Sequence, residues 1–317
     1  MNNRTIHIAL AMTLPLVSLG SCCTCDEWCY SDNEAELRLR YEWHEVDSIP
    51  KSMSVAFYPE SGTAVGVLQQ GYRLYDTYSD SARVKLPEGM YKAVAWNNDA
   101  EHSYVKDIDN LASASLCSET YPFTENHSVR LLLDSIYGGH PIVYSADYAV
   151  RTGIQQAGIS LDKTNKLVLT ADSMVYAVSL TVMRFSGLHY VRDIRGSINN
   201  IPSEASLSDG TAREQAVVYF PCERDANKGM VTARFNVWGI DATLPHTLVL
   251  LFWKDDKKVY LPIDITTEVQ QATYSRSRNI NIVVDSLDID IIKYTSPGSS
   301  FDIGADDWDD EQTDIGL

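Results

Sequence analysis

The chain has 317 residues, 43 acidic and 26 basic, for a formal net charge of −17 at pH 7. That balance excludes nucleic-acid binding built on clustered Lys and Arg and argues against electrostatic adhesion to anionic lipid. It fits a soluble body held clear of a negatively charged surface.

In chain order, the first element is a leader. Arg4 precedes an apolar run from Ile6 to Leu19 and then small residues, the order of a secretory signal. The run is too short to span a bilayer, which takes about 20 apolar residues. Leu19-Gly20-Ser21-Cys22 reads as a lipoprotein cleavage box, with a Leu three residues before a Cys and small residues between. Residues 1–21 are therefore expected to be a signal peptide, with lipidation at Cys22 and a tether over residues 22–34. A diacylglyceryl group plus an N-acyl chain such as palmitate supplies the two signals that stable anchoring requires.

Six cysteines divide unevenly, with Cys22, Cys23, Cys25 and Cys29 close together and Cys117 and Cys222 isolated. The cluster lacks the paired C-x2-C spacing of a structural zinc site and no His follows it nearby, so no metal is expected. Cys117 and Cys222 could pair only if the fold brings them together.

The body reads mostly as strands. Leu37, Leu39, Tyr41 and Trp43 alternate with Glu36, Arg38, Arg40 and Glu42, a period of two that places one face in a core and the other in water. Met53, Val55 and Phe57 repeat it, and further strands are predicted at Tyr72–Asp76, Met90–Trp96, Val129–Asp134 and Pro141–Tyr144. Pro87-Glu88-Gly89, Asn97-Asn98-Asp99 and Gly138-Gly139 punctuate them. After the polar stretch Leu161–Lys166, a second series covers Val175–Arg184, Ala216–Phe220, Val231–Trp238, Leu248–Trp253, Lys258–Pro262 and Asn279–Asp285, with a hairpin turn at Asp255-Asp256-Lys257. Helices are expected at Asn110–Glu119 and after the capping box Thr267-Glu268-Val269-Gln270. With about 150 residues per domain as the prior, the expected units are 35–163 and 164–294, each an antiparallel β-sandwich. Residues 295–317, acidic and without a basic residue, form a solvated tail or a final strand built on Phe301, Ile303 and Trp308. The Asp order in this segment does not match a calcium loop.

Catalytic signatures are missing. The sequence has no G-x-S-x-G, no G-x-x-x-x-G-K-[ST], no H-E-x-x-H and no G-x-G-x-x-G. His44, His102, His127, His140, His189 and His246 are scattered without ligand spacing. No enzyme and no cofactor are expected.

The lipobox, the segment Cys25-Asp26-Glu27-Trp28-Cys29, the strand Leu37–Trp43, the run Leu86–Asn98 and, in the second half, Leu248–Trp253, Ile263–Thr266 and Asn279–Asp285 resemble the fimbrillin-superfamily lipoproteins of Bacteroidales, particularly their FimB-type fimbrial anchors. The resemblance implies an all-β protein of two tandem transthyretin-like antiparallel β-sandwich domains, lipid-anchored in the outer membrane and facing the exterior. It also implies fimbrial or fimbrillin-like subunits as partners, joined by β-strand addition. Arg38 and Arg40 lie within the first predicted strand, out of reach of an Arg-directed protease, which favours an anchor that keeps its lipid. Asp26 and Glu27 resemble the acidic export signal of such lipoproteins. Five Asp-Ser-apolar triplets, at Asp47, Asp80, Asp134, Asp172 and Asp285, resemble O-glycosylation sites. The competing reading is a surface glycan-binding lipoprotein that accompanies an outer-membrane nutrient importer, for which an exposed row of aromatics is the discriminating feature.

Overall fold

A computed structural model describes residues 34–60, 71–78, 80–124, 126–254, 257–273, 277–285, 288–291 and 302–303. The lipobox, the Cys22–Cys29 cluster, the Asp255-Asp256 turn and most of the acidic C-terminal segment lie outside them. The first sandwich begins with β1 (Glu34–His44), β2 (Ser52–Pro59), β3 (Arg73–Tyr78), β4 (Ser81–Pro87) and β5 (Gly89–Asn97). An insertion follows, comprising β6 (Ser103–Lys106), β7 (Ser115–Ser118), α1 (His127–Tyr137) and β8 (Ile142–Tyr144). The chain returns through β9 (Val150–Thr152), β10 (Gln155–Ile159) and β11 (Asn165–Ser173). The second sandwich holds β12 (Tyr176–Val182), β13 (Phe185–Ser186), β14 (Asp193–Ser206), β15 (Ala212–Pro221), β16 (Glu223–Asp225) and β17 (Met230–Val237). It continues with β18 (Thr247–Lys254), β19 (Lys257–Asp264), α2 (Thr266–Thr273), β20 (Asn279–Val284), β21 (Ile289–Asp290) and β22 (Asp302–Ile303).

The two halves share one wiring diagram. In the first, the hydrogen-bonded order β3-β2-β5-β10 forms one layer and β4-β1-β11 the other, with β9 bridging β5 and β11. In the second, β15-β14-β18-β19 repeats the first layer and β17-β12-β20 repeats the second, with β16 added beyond β17. Between the layers of the first half, Leu37, Leu39 and Leu169 meet Val55, Phe57 and Ala93. In the second half, Val178, Leu180 and Ile282 meet Ile198, Leu250 and Phe252. The fold is all-β, as expected, but its sheets are mixed. The last strand of each half runs parallel to its first, β11 beside β1 and β20 beside β12. Each sandwich is thus antiparallel through most of its pairs, with a parallel pair where its last strand lies beside its first.

β11 (Asn165–Ser173) pairs with β1 in the first sandwich. The insertion leaves the first sandwich and adds strands to the second, β7 beside β14 and β8 beside β15. It shields outer sheet faces on both halves. Ala56, Tyr58, Val94 and Trp96 of β2 and β5 pack with Leu116 of β7 and with Trp238 beyond β17, while Val129, Leu133 and Tyr137 of α1 cover Val217, Tyr219, Val249 and Leu251. Trp238 Nε1 donates to Ser118 Oγ at 3.0 Å, fixing the insertion to the second half, and Arg151 Nη1 of β9 donates to the Leu207 carbonyl at 3.2 Å, tying the halves together.

Two predicted elements exchange type. Val129–Asp134 is helical, because Val129, Leu133 and Tyr137 at a spacing of four present one apolar face to the sheet. Gly138 then ends α1 in the left-handed region at φ 68°. Asn110–Glu119 is not a helix but a turn followed by β7, all four of whose residues are buried. The helix predicted from Thr267 starts at Thr266, since the Asp264 carboxylate accepts hydrogen bonds from Thr266 N at 3.0 Å and Oγ1 at 2.6 Å. Those bonds hold the Asp264 carboxyl below its ordinary range. Among the described residues no helix is long and apolar enough to cross a membrane.

Candidate functional site

Cys22, the expected lipidation site, lies outside the described residues. Cys117 and Cys222 are free thiols in different surroundings. Cys117 is buried in β7 with its Sγ 3.3 Å from Glu204 Oε2, and burial pushes its thiol up to about 11. Cys222 follows β15 and burial pushes its thiol up to about 12.

The histidines stay apart. His246 is fully buried, with Nδ1 3.1 Å from the Asn199 carbonyl and Nε2 3.0 Å from the Asp241 carbonyl, a structural clamp at the start of β18. Among the described residues, His44, Glu45 and Asp172 could hold a metal ion, their ligand atoms all lying within 4.8 Å of one another. His44 and Glu45 are exposed, and the Arg278 guanidinium stands 3.6 Å from Asp172, a cation already competing for that carboxylate.

Aromatic side chains form no exposed row among the described residues. Tyr78, Tyr104 and Tyr190 are exposed singly, on β3, on β6 and before β14. Trp96 and Trp238 are buried between the halves. Four rings, Tyr121, Phe123, Tyr144 and Tyr219, pack together beside α1 with centroids 4.6 to 5.3 Å apart, and His102 stacks on Tyr144 at 3.9 Å.

Sheet edges are the remaining candidates. An unpaired edge offers a row of backbone N–H and C=O groups to a foreign strand, and soluble proteins guard such edges with charge, Pro or a cover. The edge of β15 takes β8, and that of β19 takes β22 through Lys258–Ile303 and Val259–Asp302. Of residues 295–317 only Asp302 and Ile303, as β22, are among the described residues. β4 carries Arg83, Lys85 and Pro87, and β16 is Glu-Arg-Asp. β3 carries Arg73 and Asp76, and β10 is short and interrupted by Gly158.

β20 differs from all of these. Its sequence, Asn-Ile-Asn-Ile-Val-Val, has no charge, no Pro and no Gly, and among the described residues it pairs with β12 alone. Ile280, Ile282 and Val284 are buried in the core, whereas Val283 is 44% exposed. The Arg278 and Val284 carbonyls accept from β12 or its flank, from Ala177 N and Met183 N, both at 2.8 Å. By the two-residue period of a parallel ladder, Asn279, Asn281 and Val283 turn their backbone groups to the open side. A hollow of about 690 Å³ lies over the solvent face of the β17-β12-β20 layer, lined by Ser179, Thr181, Thr232, Arg234, Asn279 and Asn281. Sequence reading found this strand but not its edge position, because which strands pair is set by long-range topology.

A family model described as a domain of unknown function, DUF5119, matches residues 22–221. No curated protein matches the chain. Among solved structures, a candidate adhesin from Bacteroides ovatus superposes with a TM-score of 0.60 at 18% identity, covering 79% of this chain and 91% of that one. A candidate polysaccharide-binding protein from Bacteroides thetaiotaomicron does so at 0.50 and 11%, covering 79% and 90%. The fimbrial anchor protein Mfa2 from Porphyromonas gingivalis reaches 0.49 at 9%, covering 79% and 90%, a likeness too slight to argue from. The first two show a shared fold.

Proposed function

The chain belongs to the family described as domain of unknown function DUF5119, and from that footing we propose that it is a non-enzymatic cell-surface lipoprotein. It acts as an anchor or accessory subunit of a fimbria-like polymer. The acyl chains on Cys22 hold one end in the outer membrane, and β20 takes a strand from a fimbrial subunit. The observation that carries this reading is the β20 edge, which among the described residues pairs with β12 alone. A six-residue, charge-free strand of high β-propensity is an aggregation hazard when bare, and a partner strand removes the hazard by completing the ladder. The Leu19–Cys22 box supports the tether, and the family match begins at Cys22. The fold shared with the candidate adhesin supports the surface setting. Glycan binding has no comparable surface among the described residues.

The test is co-purification from surface-sheared cells with native Cys22 and with Cys22→Ala. Release of this protein together with an associated subunit from the variant cells supports the reading. Recovery of the protein alone in both cases contradicts it.

A further inference from the structure

The solvent face of the β4-β1-β11 layer carries a charge opposite to that of the whole molecule. Alternation places Arg38, Arg40, Glu36 and Glu42 of β1 in water, with Arg83 and Lys85 from β4 and Lys166 and Asp172 from β11 on the same face. In register, Arg38 stands between Arg83 on one neighbour and Lys166 on the other. Like charges directly opposite one another destabilise a sheet, so folding alone gives no reason for this arrangement. Glu36 lies 3.0 Å from Arg38 and 4.0 Å from Arg83, and Glu42 lies 3.9 Å from Arg40. Lys85 aside, Arg38, Arg40, Arg83 and Lys166 share the face with Glu36 and Glu42, while Asp172 at its far end is met by Arg278, so the face stays positive on a chain of net charge −17. Val168, 45% exposed, sits opposite Arg40 within it.

We propose that this face rests on anionic lipid headgroups. A sheet face is a broad surface, suited to a bilayer. β1 begins at Glu34, 12 residues after Cys22, and at about 3.4 Å per residue such a tether reaches roughly 40 Å, enough to let the face meet the membrane. Net negative charge on the rest of the body and positive charge here orient the molecule, with attraction confined to about a Debye length. The whole-chain charge therefore misleads about lipid contact, since adhesion depends on local distribution. Where the membrane lies rests on the proposed Cys22 tether; the affinity of the face does not, so it is measurable on unacylated protein.

The experiment is co-flotation of the full chain carrying Cys22→Ala with vesicles of phosphatidylcholine, with and without phosphatidylglycerol. Binding to the anionic vesicles is expected to exceed binding to the neutral ones by roughly tenfold or more and to fall as salt rises. Combined Arg38→Glu, Arg83→Glu and Lys166→Glu abolishes it. The triple Gln variant, which relieves the like-charge opposition and keeps the fold, weakens it several-fold. Equal binding to both vesicles, no binding to either, or binding unchanged in the Gln variant overturns the proposal. So does capture of a peptide of residues 304–317 without capture of vesicles, which assigns the face to an acidic polypeptide.

Discussion

Gly196 and Phe220 face each other across the β14–β15 ladder, and a methyl group on Gly196 would stand 2.3 Å from Cε2 of the Phe220 ring. The ring cannot retreat, because it is stacked on Phe235 with centroids 3.9 Å apart and planes 11° from parallel. Gly196→Ala is therefore expected to cost about 1–3 kcal/mol through overpacking, read as a lower urea midpoint with an unchanged slope. Gly153, with nothing within 4 Å of its would-be Cβ, is the control; its Ala variant should stay within about 0.5 kcal/mol of the native chain.

Tyr137 anchors α1 to the second sandwich. Its hydroxyl donates to the Ser197 carbonyl at 3.0 Å, and burial raises its pKa above the ordinary tyrosine range. Tyr137→Phe keeps the ring and removes its hydroxyl's hydrogen bonds to the Ser197 and Thr247 carbonyls, a loss of about 1 kcal/mol. Amide exchange should accelerate across residues 127–137 while the first sandwich keeps its protection.

Much of this architecture was legible in the alternation of β1, β17 and β20, where one face is buried and the other more exposed, whereas β2 is buried on both faces. What escaped reading depended on partners distant in sequence. β14, the longest strand, was hidden by Asn199-Asn200 and Pro202, which look like turn punctuation. They form an irregularity instead, with the register shifting between Ile198 and Ile201 and Asn200 at φ 55°. Val129–Asp134 is an apolar run that period alone cannot assign, and the sheet beneath it selects the helix. Lipidation at Cys22 rests on the motif alone, because Cys22 lies outside the described residues. The β20 edge and the basic β1 face needed strand order, which a single sequence does not display.

The two body thiols give a pH dependence. Burial holds Cys117 near 11 and Cys222 near 12 in the folded chain, against about 8.5 when unfolded. Below the unfolded value both states keep their protons and the stabilisation is complete. As pH climbs through that value toward the folded ones, only the unfolded chain deprotonates, and stability falls. Melting temperature should accordingly drop between about pH 8.5 and 11, and Ser replacement of both thiols should flatten that decline. At neutral pH, peptides containing Cys117 and Cys222 should resist iodoacetamide until the chain unfolds, as mass mapping will show.

The open edge of β20 is tested most directly by guarding it. Asn281→Lys with Val283→Lys places two cations on residues whose backbone groups face outward, leaving the β12 ladder and the buried Ile280, Ile282 and Val284 intact. Co-purification from sheared cells should then recover the variant folded, still attached to the membrane fraction and without its subunit, while the native chain brings the subunit with it. A variant that retains the subunit as fully as the native chain would contradict strand addition at β20.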